Sequence, residues 1–448
     1  MSQHPRPPLP GGPYLVVGLA RSGTAAALAL RARGEEVVGW DAGLGINPGL
    51  EAVVGRLSEA GVEVTLDASG DVLAARAGTL IKSPGVPQTA PIVEAARARG
   101  IPILGELELA WRLLENEFVA VTGTNGKTTT SEWIGHVHRE AGLPVAVAGN
   151  VGTAVSSLVG QIDREVTVVC EASSFQLEDS EAFAPEAAIL LNLEPDHLDR
   201  HGSFESYVAA KLQIFAHQGN DDVAVAPLDL DVEDLGGCAR RVCFGSGPGA
   251  ELSERAGYLW WDEAPLLPVI EISLPGVHNR QNAMATAAVC LARGVDFDAV
   301  AAGLRSFSGV AHRLEALGVI DGVLWVNDSK ATNVASTLVA LRAYTEGIHL
   351  IAGGRGKGQD FSPLAPLVAE RCDAVYLIGE AAGDLAVALS ETGVPLHLVG
   401  DLERAVATAR RAAQPGQTVL LSPACASYDQ YPDFEARGEH FRALVEAG

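Results

Sequence analysis

No run of about 18 consecutive apolar residues occurs in this 448-residue sequence, which excludes a membrane-spanning helix of ordinary length. Positive charge is scarce: 32 Lys and Arg stand against 56 Asp and Glu, a formal net charge of -24. Such a chain repels polyanions, and no local basic patch offsets this, so neither nucleic acid nor an anionic membrane surface is an expected partner. Anionic substrates must then be held by a few particular cations and by backbone N–H groups. The 6 cysteines (Cys170, Cys238, Cys243, Cys290, Cys372 and Cys425) contain no C-x-x-C pair, which argues against a zinc knuckle or a disulfide framework. Free buried thiols in a reducing cytoplasm are the expectation. The opening "MSQHPRPPLPGGPY" is polar and Pro-rich, without the basic start and apolar run of a signal peptide.

What the chain does have is repetition of one pattern. Short Val, Ile and Leu runs ("PYLVVGLA", "EEVVGWD", "GTLIKSPGV") alternate with helical stretches such as "SGTAAALALRARG", the signature of a parallel sheet covered by helices on both faces. The pattern restarts at "EFVAVTG", continues through "PVAVAGN", "EVTVVCEASS" and "EAAILLNLEPDH", and restarts again at "GVLWVNDSKATN". The length suits roughly two to four domains. The expectation is an α/β protein of three: a Rossmann-like domain over residues 1–108, a central P-loop-type ATPase domain with a mostly parallel sheet over 109–309, and a Rossmann-like domain over 310–448. Polar clusters follow the apolar strands in all three, where open α/β sheets bind ligands.

The densest chemistry begins at "VAVTGTNGKTTT". A strand, a Gly-containing turn and a helix opening at Gly126-Lys127-Thr128 make an anion site from converging N–H groups. Lys127 supplies a mobile positive charge for terminal phosphates, and the Thr128 hydroxyl is of the kind that ligates Mg²⁺. The usual G-x-x-x-x-G-K-[ST] loop has glycine where Val121 stands, so a plain turn remains the alternative. Glu171 ends an apolar strand, where it faces either a metal or solvent. "LNLEPDHLDRHGSFESYVAAK" packs Asp196, His197, Asp199, Arg200 and His201 into about one turn, followed by Lys211 on a helix. On these residues alone a capping or surface histidine is as good a reading of His197, and for Lys211, as for most helical lysines, a solvated side chain is the plain one.

Together "TGTNGKTTT", "GNVG", "EASSFQLE", "LNLEPDHLDRHG", "YVAAK", "GVHNRQN", "AHRLE", "NDSKATN" and "LSPACASYDQYPDFEARG" resemble, in order, the Mur ligase family of ATP-dependent amide-forming enzymes. The shortened phosphate loop is the form that family uses. "SSFQLE", "NDSKATN" and "SPACASYDQYPDFEARG" are most similar to the member that adds D-glutamate. The resemblance implies the small-molecule substrates UDP-N-acetylmuramoyl-L-alanine and D-glutamate, ATP, Mg²⁺ at two sites, and a CO₂-derived carbamate on Lys211. A monomer is expected.

Carried over by position, the resemblance makes Lys127, Glu171, His197, Lys211 and Lys330 catalytic. It assigns ATP to Gly123, Thr124, Asn125, Gly126, Lys127, Thr128, Thr129, Asn279, Asn282, Arg313 and Asp328. Metal falls to Thr128 and Glu171 at one site and to His197 and carbamylated Lys211 at the other. The UDP-substrate contacts become Gly18, Leu19, Ala20, Arg21, Ser22, Asp41, Ser83, Pro84, Gly85, Asn150 and His197, and the D-glutamate contacts Thr332, Lys357, Ser427, Tyr428 and Phe434. Without the resemblance, an Asn helix cap is the plainer reading of "HNRQN". Family members often carry Thr-Arg after the first-domain aspartate where this chain has Ala42-Gly43, and Arg21 or Lys82 is expected to replace the lost cation.

Other classes fit less well. "GLARSG" with Asp41 about 20 residues on suggests a dinucleotide-dependent oxidoreductase, yet it is not a full G-x-G-x-x-G. A folylpolyglutamate synthetase-like ligase would share the ATP module but not the "SPACASYDQY" segment. A non-catalytic nucleotide-binding scaffold does not need Lys127, Glu171, His197 and Lys211 intact.

Overall fold

A computed structural model describes residues 4–42, 48–66, 70–230, 232, 234–356 and 358–447. The chain forms two compact units, residues 1–307 and 308–448. The first carries two sheets and the second one, and the architecture is α/β with mostly parallel strands.

In the first sheet, β1 (Tyr14–Val17), β2 (Val37–Asp41), β3 (Glu63–Leu66), β4 (Thr79–Lys82) and β5 (Ile103–Gly105) lie in the order β3-β2-β1-β4-β5. All four pairings are parallel. Strands β1 and β4 are buried along their whole length, because helices cover both faces, which is why they read as unbroken apolar runs. Chain order reverses between β1 and β4, so the turn Gly18–Ala20, with the start of the helix Arg21–Ala32, and the turn Ser83–Gly85 flank one crevice.

The second sheet contains β6 (Phe118–Thr122), β7 (Val145–Gly149), β8 (Thr167–Glu171), β9 (Ala187–Leu190), β10 (Val223–Pro227), β11 (Arg240–Gly245), β12 (Leu252–Arg255), β13 (Tyr258–Trp261) and β14 (Ala264–Pro268). Its order is β14-β13-β12-β11-β10-β9-β6-β8-β7. From β7 to β12 the pairings are parallel, and β12-β13-β14 add an antiparallel ribbon. Strand β6 lies between β8 and β9, with Val121 opposite Glu171 on one side and Ile189 on the other. The loops after these three strands therefore open on one side of the sheet. Beneath them Trp111, Phe118 and Phe183 pack edge to face, with centroids 5.9 and 6.1 Å apart, in the core shared by strands and helices.

In the second unit β15 (Glu315–Ile320), β16 (Val323–Asn327), β17 (Ile348–Gly353), β18 (Cys372–Ile378), β19 (Leu396–Gly400) and β20 (Thr418–Leu421) are ordered β15-β16-β20-β17-β18-β19. Only β15 runs antiparallel among these pairings. The loops after β16, β20 and β17 again meet at one edge.

Candidate active site

The loop after β6 is a tight anion cradle. Val121 is fully buried in the strand, so the turn starts only at Gly123 and ends at Gly126, which precedes the helix Lys127–Glu140 with φ 84°. Only glycine fits Gly126: the left-handed backbone disfavours a side chain, and a Cβ would lie 2.3 Å from Asn282 Oδ1. Asn192, which the sequence reading did not single out, clamps the turn. Its Oδ1 accepts from Asn125 N at 2.8 Å and its Nδ2 donates to Asn125 O at 3.1 Å. Thr124 Oγ1 bonds Tyr207 Oη at 3.0 Å and donates to Glu194 O at 3.2 Å.

Two lysines meet at this turn. Lys127 Nζ donates to the carbonyls of Gly123 and Thr124, each at 2.9 Å. Lys211, only 1% exposed, donates to the same Gly123 carbonyl at 2.7 Å. The solvated-lysine reading is therefore wrong for Lys211. Burial, and next the charge of Lys127, push its ammonium down to about 7, against the pull of Asp196 and Glu171. A large fraction of the amine is thus neutral near pH 7.

Glu171 is also buried, at 3% exposure, which removes the solvated strand-end alternative. Asn150 holds it, donating from Nδ2 to Glu171 Oε1 at 3.1 Å and from its backbone N–H to Glu171 O at 2.9 Å. Thr128, at the helix start, is buried as well. Among the described residues no group of three or more His, Cys, Asp or Glu could hold a metal by itself. One hydroxyl and one carboxylate beside a phosphate cradle suit Mg²⁺, which shares ligands with phosphate oxygens.

His197 sits at the start of the short helix Leu198–His201 with φ 51°, half exposed, its ring 4.8 Å from that of Phe175. The structure joins it to Asp196 (Nε2–Oδ2 3.5 Å) and brings no hydrogen bond from it to Lys211 among the described residues. Asn279 and Asn282 lie inside the helix Val277–Ala292, which Gly276 precedes, so neither is its cap. Asn279 donates back to Pro275 O at 2.8 Å.

In the first sheet, Ser83 Oγ donates to Gly18 O at 2.7 Å, and Leu19 N donates to Asp41 Oδ2 at 2.7 Å, tying the three segments around the crevice. Arg21 Nη1 donates to Gly152 O at 2.5 Å. Ala20 and Gly85 are exposed, while Ser22 and Pro84 are half-buried. The expectation that Lys82 supplies a substrate cation is corrected: it is fully buried, donates to Val86 O at 2.8 Å and pairs with Asp179 at 2.8 Å. The Gly43 of the divergent Ala42-Gly43 step lies outside the described residues.

A cleft of about 760 Å³ lies elsewhere in this unit, lined by Arg6, Arg112 and Arg164 among others. Those guanidinium groups already face Glu186, Glu108 with Glu181, and Glu115, respectively. Arg33 lines it as well, beside Glu35.

In the second unit Asp328 directly follows β16, 5% exposed, accepting from Ser422 Oγ at 2.8 Å and Leu314 N at 3.2 Å. Burial pushes its carboxyl up to about 7 despite those donors and the charges of Arg313 and Lys330. Thr332 N donates to Lys330 O at 2.8 Å, closing the turn that carries both. Ser427 is buried, and its hydroxyl has no hydrogen-bond partner among the described residues. A buried orphan hydroxyl is costly unless a ligand satisfies it. Tyr428 is 59% exposed, and Phe434 lies edge-on to His312 at 6.3 Å. The loops are held from below by Arg437, which donates to Ser329 Oγ, Ser329 O and Cys425 O at 2.9, 2.8 and 3.1 Å. Lys357 lies outside the described residues.

Residues 121–290 match the Mur ligase middle domain and residues 312–425 the Mur ligase glutamate ligase domain. The chain is 43% identical to the UDP-N-acetylmuramoylalanine–D-glutamate ligase of Acidobacterium capsulatum, over 98% of this chain and 97% of that protein. Against the protein of the same name from Pelotomaculum thermopropionicum it is 41% identical over 96% of each. Among solved structures, UDP-N-acetylmuramate-alanine ligase of Thermotoga maritima shares the fold, with a TM-score of 0.57 at 20% identity over 97% of this chain and 99% of that one. Identity of this order along nearly the whole length, with both domains matched in sequence, means that the chain belongs to the Mur ligase family.

Proposed function

We propose that this protein joins D-glutamate to UDP-N-acetylmuramoyl-L-alanine with ATP, forming UDP-N-acetylmuramoyl-L-alanyl-D-glutamate, ADP and phosphate in peptidoglycan precursor synthesis. The observation that carries the reading is the convergence of Lys127 and Lys211 on the Gly123 carbonyl in a chain so similar to ligases of that name. A carboxylate at neutral pH resists attack by an amine. Transfer of the γ-phosphoryl group to the L-alanyl carboxylate gives an acyl phosphate, the D-glutamate amine adds to its carbonyl carbon, and the C–O bond to phosphate breaks as the amide forms.

Each residue has work to do in that sequence. Lys127 exchanges its loop carbonyls for the terminal phosphates and balances charge during transfer. The N–H groups of Gly123–Thr129 at the helix start cradle the phosphates. Asn279 and Asn282 are assigned to the adenine, Asp328 to the ribose and Arg313 to a phosphate. Mg²⁺, when bound, neutralises charge on the phosphate oxygens; Thr128 and Glu171 would hold one ion, and His197 with carbamylated Lys211 a second. A buried amine that is largely neutral near pH 7 is suited to add CO₂, and the resulting carbamate offers oxygen donors where an ammonium cannot.

The UDP moiety is assigned to Gly18, Leu19, Ala20, Arg21, Ser22, Asp41, Ser83, Pro84 and Gly85, with Asn150 and His197 toward the reacting end. Lys330 is assigned to the acyl phosphate and amine. Thr332, Lys357, Ser427, Tyr428 and Phe434 are assigned to D-glutamate, for which the Ser427 hydroxyl is a waiting donor. The corresponding modules are residues 1–108, 109–309 and 310–448, acting as a cytoplasmic monomer.

Phosphate release from ATP in the presence of UDP-N-acetylmuramoyl-L-alanine tests this, comparing D-glutamate with L-glutamate, D-alanine and meso-diaminopimelate. Release that needs both the UDP substrate and D-glutamate is expected. Preference for another amino acid would move the protein to a different step of the family.

A further inference from the structure

The "SSFQLEDS" segment does more than follow the Glu171 strand. Asp179, two residues beyond the short helix Ser174–Leu177, is one of the residues through which the second sheet's segment meets the first. Lys82 Nζ, at the end of β4, lies 2.8 Å from Asp179 Oδ2, with side-chain exposures of 0% and 5%. Gln88 Nε2 donates to Asp179 Oδ1 at 2.6 Å, and Gly105 N, ending β5, donates to Asp179 O at 3.2 Å. A Cβ on Gly105 would come 2.8 Å from Asp179 Cβ, so glycine there permits the approach. Nearby, the Val86 carbonyl accepts from both Lys82 and Arg200, and Arg200 pairs with Glu178 at 2.8 Å. Two cations thus face two carboxylates.

We propose that the buried Lys82–Asp179 pair is a positioning device, fixing the Ser83–Gly85 turn of the first sheet relative to Glu171 and the phosphate loop of the second. The inference rests on the proposed function: that turn is read as the UDP-substrate contact and that loop as the ATP site. Lys82 immediately precedes Ser83, and the chain between Glu171 and Asp179 is a capped turn, Ser173 to Gln176, with both reciprocal capping bonds formed. Lys82 therefore connects rigid segments on either side. An ion pair between two buried side chains favours one register, where an apolar contact would allow sliding.

The test compares Lys82→Met, Asp179→Leu and the double variant in steady-state turnover, with melting temperature measured alongside. Each single variant takes the 2.8 Å ionic partner from a buried charge, leaving Lys82 with Glu178 at 3.9 Å or Asp179 with the Gln88 amide, and is expected to melt earlier; the double variant removes both charges and is expected to recover most of the loss. If the pair positions the substrate, the double variant still shows a KM for UDP-N-acetylmuramoyl-L-alanine raised about tenfold or more, with the KM for ATP little changed. Recovery of both melting temperature and substrate KM in the double variant would overturn the inference, as would equal rises in the two KM values. Absence of turnover in the unaltered enzyme would instead sink the functional reading, and this inference with it.

Discussion

Lys127 and Lys211 donate to one and the same acceptor, the carbonyl of Gly123, at 2.9 and 2.7 Å. Two ammonium groups so close repel each other, and that repulsion adds to burial in lowering the Lys211 pKa. Replacing Lys127 by Ala removes it, so the Lys211 pKa is expected to rise above about 7. The pH dependence of amine labelling at Lys211, followed by mass spectrometry, checks this. Turnover of K127A should fall by about 10² or more.

Lys211→Ala is expected to cripple turnover, and short carboxylates added to the assay are expected to restore part of it by standing in for the proposed carbamate. Carbamate formation needs the neutral amine, whose fraction falls as pH drops below about 7. Activity in CO₂-depleted buffer should therefore decline, and more steeply at pH 6 than at pH 8. Full activity of Lys211→Ala without additives would reject the ligand role.

Asp328 gives a stability test. Burial raises its carboxyl to about 7 in the folded protein from an ordinary value of 3.8. The folded state thus binds this proton more tightly than the unfolded state, and its contribution is fully present below the unfolded value. That contribution is lost as pH rises through about 7. Asp328→Asn should flatten the stability profile between pH 4 and 7 by an amount on the order of a few kcal/mol, read from urea unfolding at several pH values.

Gly126→Ala places a Cβ 2.3 Å from Asn282 Oδ1 on a backbone with φ 84°. The strain falls on the phosphate turn and the Asn assigned to adenine. A rise in ATP KM of about tenfold or more is expected, with little effect on D-glutamate KM.

Much of this protein is written locally. The apolar runs at β1, β4, β6, β8 and β9 mark strands because fully buried parallel strands need no polar face. The phosphate turn follows from glycine at Gly126 and a lysine opening a helix, and the family is legible in the order of its motifs. Less legible were β12 to β14, where short strands such as "YLWW" are partly exposed and form an antiparallel ribbon joined to the sheet only through the β11–β12 pairing. Asn192 escaped notice because an asparagine after a strand is common, and its clamp on Asn125 exists only once β6 and β9 are neighbours.

By itself the sequence determined which residues carry charge, where strands end and which chemistry the loop can host, since these depend on neighbours along the chain. The tertiary structure decided what Lys82, Glu171 and Lys211 are for. Each would be an ordinary solvated charge on an isolated segment. Burial against residues 97, 21 and 88 positions away turned Lys82 into an internal pin, Glu171 into an oriented carboxylate and Lys211 into a near-neutral amine. Desolvation and pairing depend on what folds on top of a group, and local sequence does not contain that.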